Sequence, residues 1–143
     1  MVELGQVYLD PSVVIRHVLS QPGALEDIRC ESAVASELLA VEVSRTVDNL
    51  RVVAHPTEVE LTALRQRTNQ ILGLIELVPL HRLVLARARM AFPTPIKTLD
   101  ALHLASALVW AEYVNGSVVL LTHNRQLATA ARACGLAVHP EPV

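Results

Sequence analysis

The stretch "VYLDPSVVIRHV" (residues 7–18) passes from a β-prone run to a helical apolar pattern within two residues. "VYL" (7–9) is read as a strand, and Pro11 to Leu19 as a helix with proline at its first position, where a missing N–H costs nothing. Asp10 stands between them. An aspartate before Pro at the first helical position is a sufficient helix cap with no chemistry required. Yet it also lies at the carboxyl end of a strand, where ligands bind in open α/β sheets. Both readings of Asp10 stand at this point.

Outward from that stretch, the pattern alternates. A short helix is expected over 22–29, "AVAS" (33–36) as a strand and 37–50 as a helix. Thr57 caps a helix to about Leu74, with Glu60 as its capping-box partner. "IELVPL" (75–80) reads as a strand, 81–91 as helix, and "PTP" (93–95) breaks the chain. Thr98 starts a helix to about Tyr113. "VVLLT" (118–122) is a buried-strand run, Asn124 caps a helix to Cys134, Gly135 ends it, and "LAV" (136–138) is the last strand. Strands separated by helices imply βαβ crossovers, hence an α/β fold whose mainly parallel sheet is covered on both faces. With 143 residues and no linker, repeat or low-complexity tract, one domain over 1–143 is expected.

Apolar residues form 52% of the chain but aromatics only 3%, so the core is expected to be Ala, Val and Leu. A mean hydropathy of +0.39 is high for a small soluble monomer. It is explained by an Ala-rich core or by another chain covering part of the surface. No uncharged run reaches membrane-spanning length, and Glu3 stands where a secretory signal would carry a cation, so a cytoplasmic protein with no membrane partner is expected. Cys30 and Cys134 lie far apart with no Cys/His cluster, and read as small buried hydrophobes rather than zinc ligands or a disulfide. Charge is uneven. Residues 1–60 carry ten acids against four arginines, and residues 61–143 four acids against eight bases, an arrangement compatible with an acidic site beside a cationic surface.

Each acid of interest has an ordinary structural explanation. Glu42, in "ELLAVEVSRTVDNL" (37–50), falls about 90° from the centre of the stripe formed by Leu39, Val43, Val47 and Leu50, which makes it a boundary residue. Asp100 in "KTLDALHLASAL" (97–108) lies in the first turn of its helix, where a negative charge suits the macrodipole. His103 is one turn further on the same face. Asn124 in "LLTHNRQL" (120–127) is an N-cap in its own right, and Arg125 and Arg132 after it suggest a cationic rim. Three carboxylates near one sheet edge repel one another unless a cation lies between them. Oxygen-only ligands favour Mg²⁺ or Mn²⁺ over zinc.

Taken together, four segments resemble a PIN domain, and more narrowly the VapC-type toxins of bacterial toxin–antitoxin pairs. "YLDPSVVI" resembles the opening strand with its D-x-S/T motif, and "ASELLAVEVSRTV" the helix carrying an acid, with Arg45 as in many relatives. "IKTLDALHLASAL" resembles the family's acid-bearing block, and "VVLLTHNRQLATAARACGLAV" its T-x-D-x-x-L closing strand and helix. The resemblance implies a PIN-like three-layer fold and a Mg²⁺-dependent endoribonuclease, with Mn²⁺ able to substitute. It implies Asp10, Glu42 and Asp100 as catalytic metal ligands, supported by Ser12, Thr122 and His103. Asn124 stands where many relatives have an acid; an amide oxygen can bind the ion but brings no charge. A structured RNA as substrate, a VapB-like antitoxin as inhibitor, and a homodimer that assembles further with the antitoxin are implied as well. Arg82, Arg87, Arg89 and Lys97 flank the break at Phe92–Pro95 and, with Arg125, are the expected phosphate contacts. Without a stacking platform of aromatics, recognition is expected to rest on RNA shape.

Three rivals remain. A phosphate-accepting receiver-like domain wants adjacent acids after the first strand and a late lysine, whereas Asp10 stands alone and the one lysine, Lys97, precedes a helix. A PIN-like domain that binds RNA or a partner without cutting draws on Asn124. An RNA-maturation nuclease with no antitoxin has the same site.

Overall fold

A computed structural model describes residues 1–140, and residues 141–143 of the expected 1–143 unit lie outside the described residues. In chain order the elements are β1 (Val2–Leu9), α1 (Pro11–Val18), β2 (Ile28–Ser36), α2 (Leu38–Val53), α3 (Glu58–Gly73), β3 (Glu76–Val78), α4 (Arg82–Ala88), α5 (Thr98–Val114), β4 (Val118–Leu121), α6 (Arg125–Ala133) and β5 (Ala137–His139). The five strands form one parallel sheet in the order β3-β2-β1-β4-β5, so the central strand is the first one made.

Strand alternation sorts the core into two halves. Val7 and Leu9 pack with Val13, Val14, Leu39, Val43, Leu61 and Ile71, which places α1, α2 and α3 on one face. Tyr8 points the other way, into Leu104, Ala107, Leu127, Ala130 and Ala131 of α5 and α6. The result is the expected three-layer α/β fold. The chain leaves β1 toward β2 and β3 and later returns to its other side as β4. That reversal puts a topological switch point at the carboxyl ends of β1 and β4, where Asp10 and Thr122 to Asn124 follow the strands.

Local chemistry sets the element ends. Asp10 caps α1 by accepting from the Ser12 N–H. Thr57 and Glu60 form the reciprocal capping box of α3, at 3.1 and 3.2 Å. α6 stops in a Schellman motif: Leu136 N–H donates to the Ala131 carbonyl and Gly135 N–H to that of Arg132, with Gly135 at φ 91°, a conformation suited to glycine.

Two expectations fail. The segment 22–29 is not a helix but a turn that leads into β2 at Ile28. Gly23 takes φ 81° there, its carbonyl accepts from His123 Nε2 at 2.7 Å, and Arg16 Nη1 donates to Pro22 O. A Cβ at Gly23 meets the His123 ring at 2.8 Å, so only glycine fits this close approach. Cys30 is also not buried. β1 and β2 begin well before the helical cover, pairing from Val2↔Ile28 onward, and Cys30 sits exposed in that uncovered ribbon while Cys134 is half-buried. Residues 2–3 and 29–31 are exposed, and only Leu4 and Ile28 of the two strand starts reach the core.

Thr57→Ala leaves the Glu60 N–H of α3 without its side-chain acceptor. Urea denaturation is expected to show a loss of about 1 kcal/mol with the slope unchanged.

Candidate functional site

The site begins with a carboxylate that water does not reach. Asp10 is 4% exposed. Its Oδ2 accepts from Ser12 Oγ at 2.5 Å, from Ser12 N–H at 3.2 Å and from Thr122 Oγ1 at 2.9 Å. Such donors stabilise a buried anion in place of water. Each donor oxygen is itself anchored. Ser12 Oγ accepts from the His123 N–H and Thr122 Oγ1 from the Asn124 N–H, both at 3.0 Å. Among the described residues all hydrogen bonds to Asp10 fall on Oδ2, which leaves Oδ1 without a protein partner.

Asp100 reaches the same place from the first turn of α5. Its Oδ2 accepts from Asn124 Nδ2 at 3.2 Å, while Asn124 Oδ1 accepts from Leu127 N–H as the cap of α6. The cap fixes which end of the amide is oxygen, so Asn124 turns an N–H toward the acids, as a donor to Asp100. Asp100 stands above the ordinary aspartate range, first because it is half-buried and next because the Asp10 carboxylate is near. The Asn124 amide and His103 oppose the shift, and Glu42 adds to it.

Glu42 enters from α2, on the other face of the sheet from α5. Its side chain is 26% exposed, and its Oε1 accepts from His103 Nε2 at 2.6 Å; the imidazole is 1% exposed. His103 is thus neither solvated nor in contact with a substrate path. Tyr8, absent from the sequence-based set, has its hydroxyl 3.5 Å from His103 Nδ1. Burial raises the phenol well above its ordinary value, so it keeps its proton. Strand period places Tyr8 two residues before Asp10, and that spacing was the available signal. His123 was also absent from the set; nothing in a lone His after a strand announced that its N–H holds Ser12.

Among the described residues no arginine or lysine pairs with Asp10, Glu42 or Asp100. Arg45, one turn from Glu42, pairs with Asp48 instead. The donor set is therefore hard oxygen, short of positive charge, and with Asp10 Oδ1 open: it fits a divalent ion such as Mg²⁺. No three His, Cys, Asp or Glu side chains converge on one point among the described residues. An ion here would take one or two carboxylates directly and keep water for the rest, as Mg²⁺ commonly does.

The expected phosphate contacts divide. Arg82, Arg89, Lys97 and Arg125 are exposed. Arg87 is not free: its guanidinium lies 4.7 Å over the Phe92 ring and its Nη1 is buried. A groove of about 640 Å³ lined by Arg89, Met90, Phe92, Thr98 and Leu102 opens beside the start of α5. No described helix is long and apolar enough to cross a membrane.

Because its folded-state pKa stands above the unfolded one, Asp100 weakens the metal-free fold increasingly as pH rises between those two values, and not at all below both. Asp100→Asn in EDTA is expected to melt above the native chain at pH 7. The gap should close as pH falls toward about 4, the ordinary aspartate range; equal melting at both pH values contradicts this.

The PIN domain family model matches residues 7–133. None of the curated proteins matches the sequence. Among solved structures, VapBC2 from Rickettsia felis, crystallised bound to a DNA fragment from the promoter, aligns with a TM-score of 0.60 at 12% identity over 93% of this chain and 96% of that one. FitAcB from Neisseria gonorrhoeae aligns with a TM-score of 0.57 at 18% identity, with the same coverage of 93% and 96%. At such identities the structural likeness speaks to the fold.

Proposed function

This chain belongs to the PIN domain family, and from that premise we propose that it is a Mg²⁺-dependent endoribonuclease toxin of a type II toxin–antitoxin pair. The observation that carries the reading is Asp100 within the field of both Asp10 and Glu42, with no arginine or lysine paired to any of the three among the described residues. Mg²⁺, or Mn²⁺ in its place, is the cation that balances them.

Asp10 and Asp100 would hold the ion, and Glu42 would reach it directly or through its waters. When bound, the ion stabilises charge on a phosphodiester and lowers the pKa of a water. The protein's own part is positional. Ser12 and Thr122 fix Asp10 by one oxygen and keep the other available. Asn124 steadies Asp100 as a hydrogen-bond donor to its Oδ2. Attack by water, in place of the 2′-hydroxyl, would break the P–O3′ bond, leaving a 5′-phosphate on one fragment and, once the departing oxygen takes a proton, a 3′-hydroxyl on the other. Arg89, Lys97 and Arg82 hold the RNA backbone beside the groove at the start of α5, and Arg125 extends that surface beyond Asn124. Arg87 acts by packing on Phe92.

The toxin part of the reading rests on the four motif segments and on the fold shared with VapBC2. A VapB-like antitoxin and a second copy of the chain are the proposed partners, in the cytoplasm. Exposed Leu83 and Tyr113, beside a groove lined by Leu77, Pro79 and Trp110, supply apolar surface for such contacts.

The test is cleavage of total bacterial RNA by the antitoxin-free protein in Mg²⁺, Mn²⁺ or EDTA, beside Asp10→Asn and Asp100→Asn. Discrete cuts that need the metal and fall by at least ~100-fold in both variants are expected. RNA binding without cleavage in any metal favours the non-cutting alternative. Cleavage that persists in both variants removes the carboxylates from the mechanism.

A further inference from the structure

We propose that His103 is a positioning residue for the acidic site, the middle of a buried polar strut that ties the strand ending before Asp10 to the two helices that carry Asp100 and Glu42. The inference rests on the metal reading above. Tyr8 is two residues from Asp10 on β1, His103 is three residues from Asp100 on α5, and Glu42 is itself on α2. Contact runs from the Tyr8 hydroxyl to His103 Nδ1 at 3.5 Å, and from His103 Nε2 to Glu42 Oε1 at 2.6 Å. Asp100 and Glu42 therefore share a helix with a member of the strut, and Asp10 directly follows the strand that carries Tyr8.

The direction of the short bond follows from chemistry. A carboxylate oxygen accepts, so Nε2 carries the proton and donates. The bond is charge-assisted and short, and the donor is almost fully buried, so its geometry is set by core packing rather than by solvent. Among the described residues Glu42 has no arginine or lysine to hold it, and its charge and that of Asp100 repel. Without the Nε2 proton the side chain swings toward water, away from the other two acids. With it, one oxygen is fixed and Oε2 is left for an ion or its water. Ligand-orienting contacts of this kind govern metal affinity without touching the metal.

Two amide substitutions separate positioning from packing. The amide nitrogen of Gln reaches the place of Nε2, whereas that of Asn stops near Nδ1. Free Mn²⁺, followed by electron paramagnetic resonance, is titrated into the native protein, His103→Gln and His103→Asn, each checked for folding by circular dichroism. Expected is a dissociation constant within ~3-fold of native for His103→Gln and at least ~10-fold weaker for His103→Asn. The ring N–H of His103 in the native chain should exchange slowly with solvent, with a proton resonance that moves in Glu42→Gln. Equal Mn²⁺ affinity in the two variants, or a ring proton indifferent to Glu42→Gln, overturns the positioning role alone. A native chain that takes up no Mn²⁺ overturns the metal reading and this inference with it, even where the ring proton still reports the contact to Glu42.

Discussion

A carboxylate at the end of the central strand, withdrawn from water, is the constraint on which the arrangement around it depends. Burying a charge costs several kcal/mol unless hydrogen bonds replace its hydration. Asp10 meets that demand with Ser12, one residue into α1, and Thr122, the first residue after β4. The requirement thereby ties the first crossover to the strand that returns beside it much later. The same two hydroxyls accept the His123 and Asn124 N–H groups, which have no place in the β4 ladder. A loop at a switch point is thus fixed by side chains where the sheet can no longer fix it.

The second feature works against stability. Asp100 is brought beside Asp10 with an amide as partner, and its pKa is raised first by burial and then by the nearby Asp10 charge. Proteins keep such clusters where a ligand relieves them, and perturbed carboxylates concentrate at functional sites. The metal-free fold carries this strain because its core, split between Val7 and Leu9 on one face and Tyr8 on the other, closes on both sides of β1.

Much of this was legible where a local rule had a local cause. Asp10 and Pro11, the Thr57–Glu60 box and the Gly135 stop each act within a few residues, and the structure holds them as read. Alternation of strands and helices gave the parallel sheet and placed Asp10 and Asn124 at its carboxyl edge. What local pattern did not carry was the long-range pairing. The starts of β1 and β2 are held mainly by backbone bonds, with only Leu4 and Ile28 reaching the core, and the chain at 22–27 is shaped by His123, a hundred residues away from Gly23. Glu42 is likewise explained by His103, sixty-one residues on. Arg87 read as a free cation because its ring partner, Phe92, follows in a loop with no periodicity.

The central claim is that a divalent cation relieves the repulsion among Asp10, Asp100 and Glu42. The direct measurement is the melting temperature of the purified chain as Mn²⁺ is raised from EDTA, with Na⁺ at matched ionic strength as control. An ion that binds only the folded state raises stability with the logarithm of its concentration. The account requires that rise in the native chain and its loss in Asp10→Asn. A melting temperature indifferent to Mn²⁺, or one that rises equally in both proteins, contradicts it and leaves Asp10 as a helix cap and Asp100 as a first-turn acid.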